Sequence, residues 1–171
     1  MMLFTKSTTV LLLTLVPLST TLAQETLRTD GNKAVRIQDN HVLLVLSQNR
    51  KVATAYSIDR NVWNKIELSP NSDADIKPVI SNGMAILRVG QTVYAYSAKT
   101  AAWDKLVLPK GSDATPTLYG AVITLNDDNS FYVFGLNADG WSGVDLQTGE
   151  PLGINRGYRG SGEQNDARER D

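Results

Sequence analysis

His41 is the single histidine of the 171-residue chain, and cysteine is absent. Thiolate metal sites, disulfides and cysteine nucleophiles are thereby excluded, and one imidazole without a second histidine builds no standard zinc site. A Ser-His-Asp triad would have to use His41, but the chain holds no G-x-S-x-G elbow to carry its serine. Beside Asn40 at the edge of an apolar run, His41 reads as an exposed turn residue. Acidic turns at Asp73 and Asp75, at Asp127 and Asp128, and at Asn137 with Asp139 offer oxygen ligands to calcium. None follows the D-x-[DN]-x-[DN]-G loop with its distant glutamate, and Asp and Asn are also the residues that tight turns require. No carboxylate pair stands out for glycoside hydrolysis. The reading assigns no catalytic residue, no metal ligand and no cofactor.

The remaining chemistry lies in the aromatic residues. Tyr56, Tyr94, Tyr96, Trp63, Trp103 and Trp141 recur at regular intervals, which is the mark of a packing seam between sheets. One or two of them at a rim could stack on sugar rings, with an Asp or Asn nearby accepting hydroxyl hydrogen bonds. Trp63, Trp103, Trp141, Asp127 and Asn129 are the candidate ligand-binding residues on that reading.

The elements that must position them follow from the repeat. Ala55-Tyr56-Ser57 precedes Trp63, Lys65, Ile66 and Leu68, and forty residues later Ala95-Tyr96-Ser97 stands at the same offsets from Trp103, Lys105, Leu106 and Leu108. Ser72-Asp73-Ala74 is echoed by Ser112-Asp113-Ala114. A looser third copy puts Phe134 before Trp141, Val144 and Leu146, with Asp139-Gly140 as a turn signal just ahead of the tryptophan.

Each copy divides into four short strands, in the second Ile76–Ile80, Met84–Val89, Thr92–Ser97 and Trp103–Leu108. In the third they are Thr115–Leu118, Ala121–Leu125, Phe131–Leu136 and Trp141–Leu146. Ala34–Ile37 alternates like a short strand, the repeats begin after it, and the compact run Val42–Leu46 predicts a strand buried on both faces. No helical periodicity survives in residues 24–171, so the class is all-β, with three repeated four-stranded antiparallel sheets.

If Tyr96 faces Trp103 across a hairpin, Tyr94 and Val107 share their face, while Val93, Ala95, Leu106 and Leu108 lie on the other. Both faces are then apolar, as in a sheet sandwiched between neighbours. The tryptophan acts as a spacer, and truncating the better matched Trp63 or Trp103 is expected to cost roughly 3–5 kcal/mol if it is buried.

This pattern, strongest in VYAYSAKTAAWDKLVLP from Val93 to Pro109, resembles the kelch repeat of β-propellers. The resemblance spans Ala34 to Leu146 and departs from that family at the glycine doublet, where only Gly90 stands. It implies propeller blades, of which three make a partial propeller: an open arc, or half of a ring of six completed by a second chain. Open apolar ends predict self-association, hence a homo-oligomer. A β-prism of three sheets is the alternative. It is similar to bulb-type lectins, whose Q-x-D-x-N-x-V-x-Y motif is matched only at Asp127 and Asn129.

Composition sets the rest. Seventeen basic and 18 acidic residues leave a net charge of −1, too little to steer the chain onto nucleic acid or an anionic membrane. Residues 1–23 read as a signal peptide, with Lys6 before the apolar run Val10–Leu18 and the small-residue exit Ser19–Ala23. That run is far short of the roughly 20 residues that span a bilayer, so no membrane span is expected after cleavage. The predicted location is secreted or periplasmic. Gln24–Asn32 is a polar lead-in, residues 24–152 form the repeat domain, and the Gly-, Arg- and acid-rich stretch Gly153–Asp171 reads as a disordered tail.

The expected role is a non-enzymatic module binding a protein or glycan through the loops between the copies, such as Ala98–Ala102 and Asn126–Ser130. A lectin in the strict sense is the second expectation and a hydrolase of unknown type the third.

Overall fold

The structure is a computed structural model that describes residues 34–69 and 76–154. The signal peptide and polar lead-in, Asp73 and Asp75 with the Ser72-Asp73-Ala74 echo, and the tail beyond Ile154 lie outside the described residues. Twelve strands and no helix are present among those described, so no described helix is long and apolar enough to cross a membrane.

The first sheet contains β1 (Val35–Gln38), β2 (Val42–Leu46), β3 (Val52–Ser57) and β4 (Val62–Glu67). The middle sheet contains β5 (Val79–Ser81), β6 (Met84–Val89), β7 (Thr92–Ser97) and β8 (Ala102–Val107). The third contains β9 (Thr117–Tyr119), β10 (Val122–Asp127), β11 (Ser130–Gly135) and β12 (Ser142–Asp145). Each is a four-stranded antiparallel meander whose strands pair in chain order.

Local chemistry sets the boundaries. Pro78 and Pro116 lack the N–H that a ladder needs, so β5 and β9 begin after them and are shorter than the apolar runs suggest. Asn82-Gly83 turns β5 into β6 with both residues at positive φ, the geometry of a tight hairpin. The turn from the second strand to the third holds a left-handed residue in every copy: Arg50, Gly90 and Asp128. At Asp145 the chain turns, with the side chain accepting from the N–H groups of Gln147 (2.8 Å) and Thr148 (2.9 Å). Those two bonds hold the Asp145 carboxyl below the usual carboxylate range. The chain then runs back along β12, where Leu152 N–H donates to the Gly143 carbonyl at 2.9 Å and Ile154 packs against the core.

The sheets stack in series through two cores. In the first core Val42, Leu44, Leu46, Ala53 and Ala55 of the first sheet meet Ala85, Leu87, Val89, Tyr94 and Tyr96 of the middle one. In the second, Met84, Ile86, Val93 and Ala95 of the middle sheet meet Ile123, Leu125, Phe134 and Trp141 of the third. Burying such a leucine is worth enough that truncation to Ala costs about 2–5 kcal/mol.

Only the middle sheet is apolar on both sides, and β7 is buried along its whole length. β2 does not match the expectation of burial on two faces: Leu43 and Val45 are half-buried, because among the described residues no sheet covers the outer face of the first one. The three sheets also share no single core, so the prism arrangement is not adopted.

Candidate functional site

Among the described residues, the β3–β4 hairpin carries the one aromatic pair that the stack leaves open. Register sets Tyr56 opposite Trp63, and Asn61 takes a left-handed φ of 53° to close the loop between them. The two rings lie 5.0 Å apart at 44°, and the Tyr56 hydroxyl donates to Asn61 Oδ1. Trp63 is 53% exposed. Leu43 and Val45 share this outer face by register, and Lys65 and Glu67 continue it along β4.

The copies of this pair are covered. Tyr96 and Trp103 keep the same separation, 5.0 Å at 46°, but they look into the first core, where Trp103 Nε1 donates to the Asn64 carbonyl at 3.2 Å. Burial pushes the Tyr96 hydroxyl up to about 12; the neighbouring Asn64 side chain opposes that shift without completing a well-formed hydrogen bond. Phe134 and Trp141 lie 5.7 Å apart in the second core, where Trp141 is 1% exposed and its backbone N–H donates to Asp104 Oδ2 at 2.8 Å. The spacer role therefore fits Trp103 and Trp141 and fails for Trp63. Trp63 faces the side on which no preceding sheet is described.

Among the five candidate ligand residues, then, Trp63 alone is a large open surface. Asp127 ends β10 and accepts a hydrogen bond from Ser112 Oγ at 2.7 Å. Asn129 is exposed in the two-residue turn to β11, and its carbonyl accepts from Leu146 N–H at 2.6 Å. Both belong to the third sheet, with the middle sheet between them and Trp63, so the five do not converge.

The loops singled out for binding have structural duties. Ala98 is buried and its carbonyl accepts Ser57 Oγ at 2.8 Å, while the Lys99 carbonyl accepts Arg60 Nη1 at 3.1 Å. Asn126–Ser130 is strand on both sides of the Asp128-Asn129 turn.

His41 sits in the β1–β2 turn, exposed as expected, with Nδ1 3.0 Å from Asp59 Oδ1. The hydrogen bond and charge of Asp59 raise its pKa above 6.5. No serine hydroxyl bonds to the ring among the described residues, and the turn packs on Gly83, where an added Cβ would lie 3.2 Å from His41 Cβ. Asp39 binds that turn to the middle sheet, accepting from Val42 N–H at 2.7 Å and from Gly83 N–H at 2.9 Å.

Sequence reasoning missed the polar stitches between sheets: Asp39, Ser57, Ser97 and Asp104. Ser57 and Ser97 were visible as the last letter of the recurring Ala-Tyr-Ser, a signal that marked repetition without revealing its purpose. Arg88 was missed as well; its guanidinium donates to the carbonyls of Gly90 (2.8 Å), Ala114 and Ser112 (2.6 Å), fixing the linker into the third sheet. An open groove of about 410 Å³ between β8 and the returning chain is lined by Lys105, Val107, Tyr132 and Leu152. No protein-family model matches the chain, and the comparison with curated proteins returns no match.

Proposed function

We propose that this is a secreted or periplasmic, non-enzymatic β-repeat protein that works as a binding module, and that its binding surface is the outer face of the first sheet. The observation that carries this is Trp63, open to solvent where Trp103 and Trp141 are covered by a neighbouring sheet. An exposed aromatic pair on a half-apolar sheet face supports burial by a partner, since such rings supply large contact area at low entropic cost. The tyrosine–tryptophan spacing and the blade-like sheets support grouping these units with kelch-like propeller blades. A protein is the favoured partner, because the face is a broad sheet and not a pocket. The second reading is a lectin that stacks a sugar ring on Trp63 beside the Asn61 amide.

Acrylamide quenching tests the surface. Dilute protein is expected to show a quencher-accessible emission component that Trp63→Phe removes. A concentration series of the protein itself and a panel of mono- and disaccharides at millimolar concentration are then added in turn. Shielding by sugar supports the lectin and shielding by protein supports the module; if neither shields Trp63, the face is not the binding surface.

A further inference from the structure

The two interfaces inside the chain obey one rule. The later sheet presents a row of large side chains, Tyr94, Tyr96 and Trp103 from the middle sheet or Tyr132, Phe134 and Trp141 from the third. The earlier sheet receives it on the smaller side chains of its third strand, Ala53, Ala55 and Ser57 or Val93, Ala95 and Ser97, beside the larger ones of its second, Leu44 and Leu46 or Met84 and Ile86. Among the described residues one presenting face is left over, with Thr54, Tyr56 and Trp63 on the first sheet. One receiving face is left over too, with Phe131, Val133 and Gly135 on the third.

We propose that these two leftover faces bind each other between copies of this chain, head to tail, so that two reciprocal contacts join a pair. This rests on the reading of the first sheet's outer face as a protein-binding surface, and it names the partner as a second copy.

The argument for a second copy is an exchange of bulk. Thr54 holds the repeat position of Tyr94 and Tyr132, so the presenting row has lost a ring there. Phe131 holds the position of Ala53 and Val93, so the receiving row has gained one. Inside the chain the presented rings and the small receivers share one core, and at these repeat positions of the two open faces the sizes are reversed, which conserves the volume that a well-packed interface must fill. Trp103 Nε1 donates to the carbonyl of Asn64, and the residue at that repeat position on the third sheet is Ser142, small and exposed. Val122, Val133 and Val144 give the receiving face an apolar stripe among Thr124, Asn126 and Ser142, with Tyr119 87% exposed at its margin.

Light scattering on the wild type is expected to give twice the chain mass at micromolar concentration. Trp63→Arg and Val133→Arg each remove both contacts of a homodimer and leave monomers, whereas an equimolar mixture keeps one intact pair of faces and recovers a heterodimer. A variant that stays dimeric alone, or a mixture that stays monomeric, overturns the head-to-tail contact. A monomeric wild type overturns the second copy while leaving the binding surface to the sugar titration.

Size exchange gives a test free of introduced charge, with circular dichroism and melting confirming the fold. Thr54→Tyr restores the repeat's own residue yet meets Phe131 of the partner, and dimer affinity should fall at least tenfold; adding Phe131→Ala to the same chain should recover it. Unchanged affinity in Thr54→Tyr overturns the proposed register.

Discussion

Trp141 and Trp63 hold the same place in their repeats and differ in what surrounds them. Trp141 is enclosed in the second core, so Trp141→Ala should cost about 3–5 kcal/mol in urea denaturation. Trp63→Ala in dilute protein should change stability by less than about 1 kcal/mol, since half of its surface already meets water. Similar losses at both sites would show that the outer face is covered within one chain. His41 offers a second reading at this scale because it is the only histidine and its ring signals are unambiguous. Asp59 raises its pKa, so protonation favours the folded state. That contribution is full below the unfolded value near 6.5 and is lost as pH rises through the higher folded value. NMR titration should place the midpoint above 6.5 in the wild type and lower it in Asp59→Asn; a midpoint unmoved by the substitution removes Asp59 as the cause.

Between elements, hydroxyls at fixed repeat positions clasp the loop of the following sheet. Ser57 Oγ donates to the Ala98 carbonyl and Ser97 Oγ to that of Leu136, with Thr100 Oγ1 adding a bond to the Ala138 carbonyl at 3.2 Å. Ser97 is fully buried and also accepts from the N–H groups of Lys99 and Thr100, so Ser97→Ala orphans several groups at once. The expected loss is about 1–3 kcal/mol by thermal or urea unfolding, and a neutral result would mean that water replaces the clasp. In the third sheet Gly135 and Ala138 occupy the donor positions, so the clasp ends there. These facts also explain what could be read in advance. Four strands per copy and the Tyr96–Trp103 pairing follow from alternation and spacing, which are local. Whether a tryptophan is covered depends on a neighbouring sheet, and the windows around Trp63 and Trp103 are too alike to separate them. Spacing also hid the hydrogen-bonding role of Ser97, since a hydroxyl in a strand gives no sign of the carbonyl it will meet.

At the scale of the whole molecule, a series of sheets is stabilised by nearest neighbours, as in other repeat architectures. The first sheet contributes to one core, the third to the other, and the middle sheet to both. Opening either outer sheet sacrifices one interface, whereas exposing the middle sheet's amides requires losing both. Amide exchange should therefore be slowest in β6 and β7, whose side chains are buried almost throughout, and faster in β3 and β11. If two copies join through their outer faces, raising the concentration should slow β3 and β11 together, since each contact covers one face of each kind. The amides of β6 and β7 should then still exchange only through global unfolding. Protection that grows on β3 alone would point to an interface of two first sheets, and protection independent of concentration would leave the middle sheet's advantage as a property of the single chain.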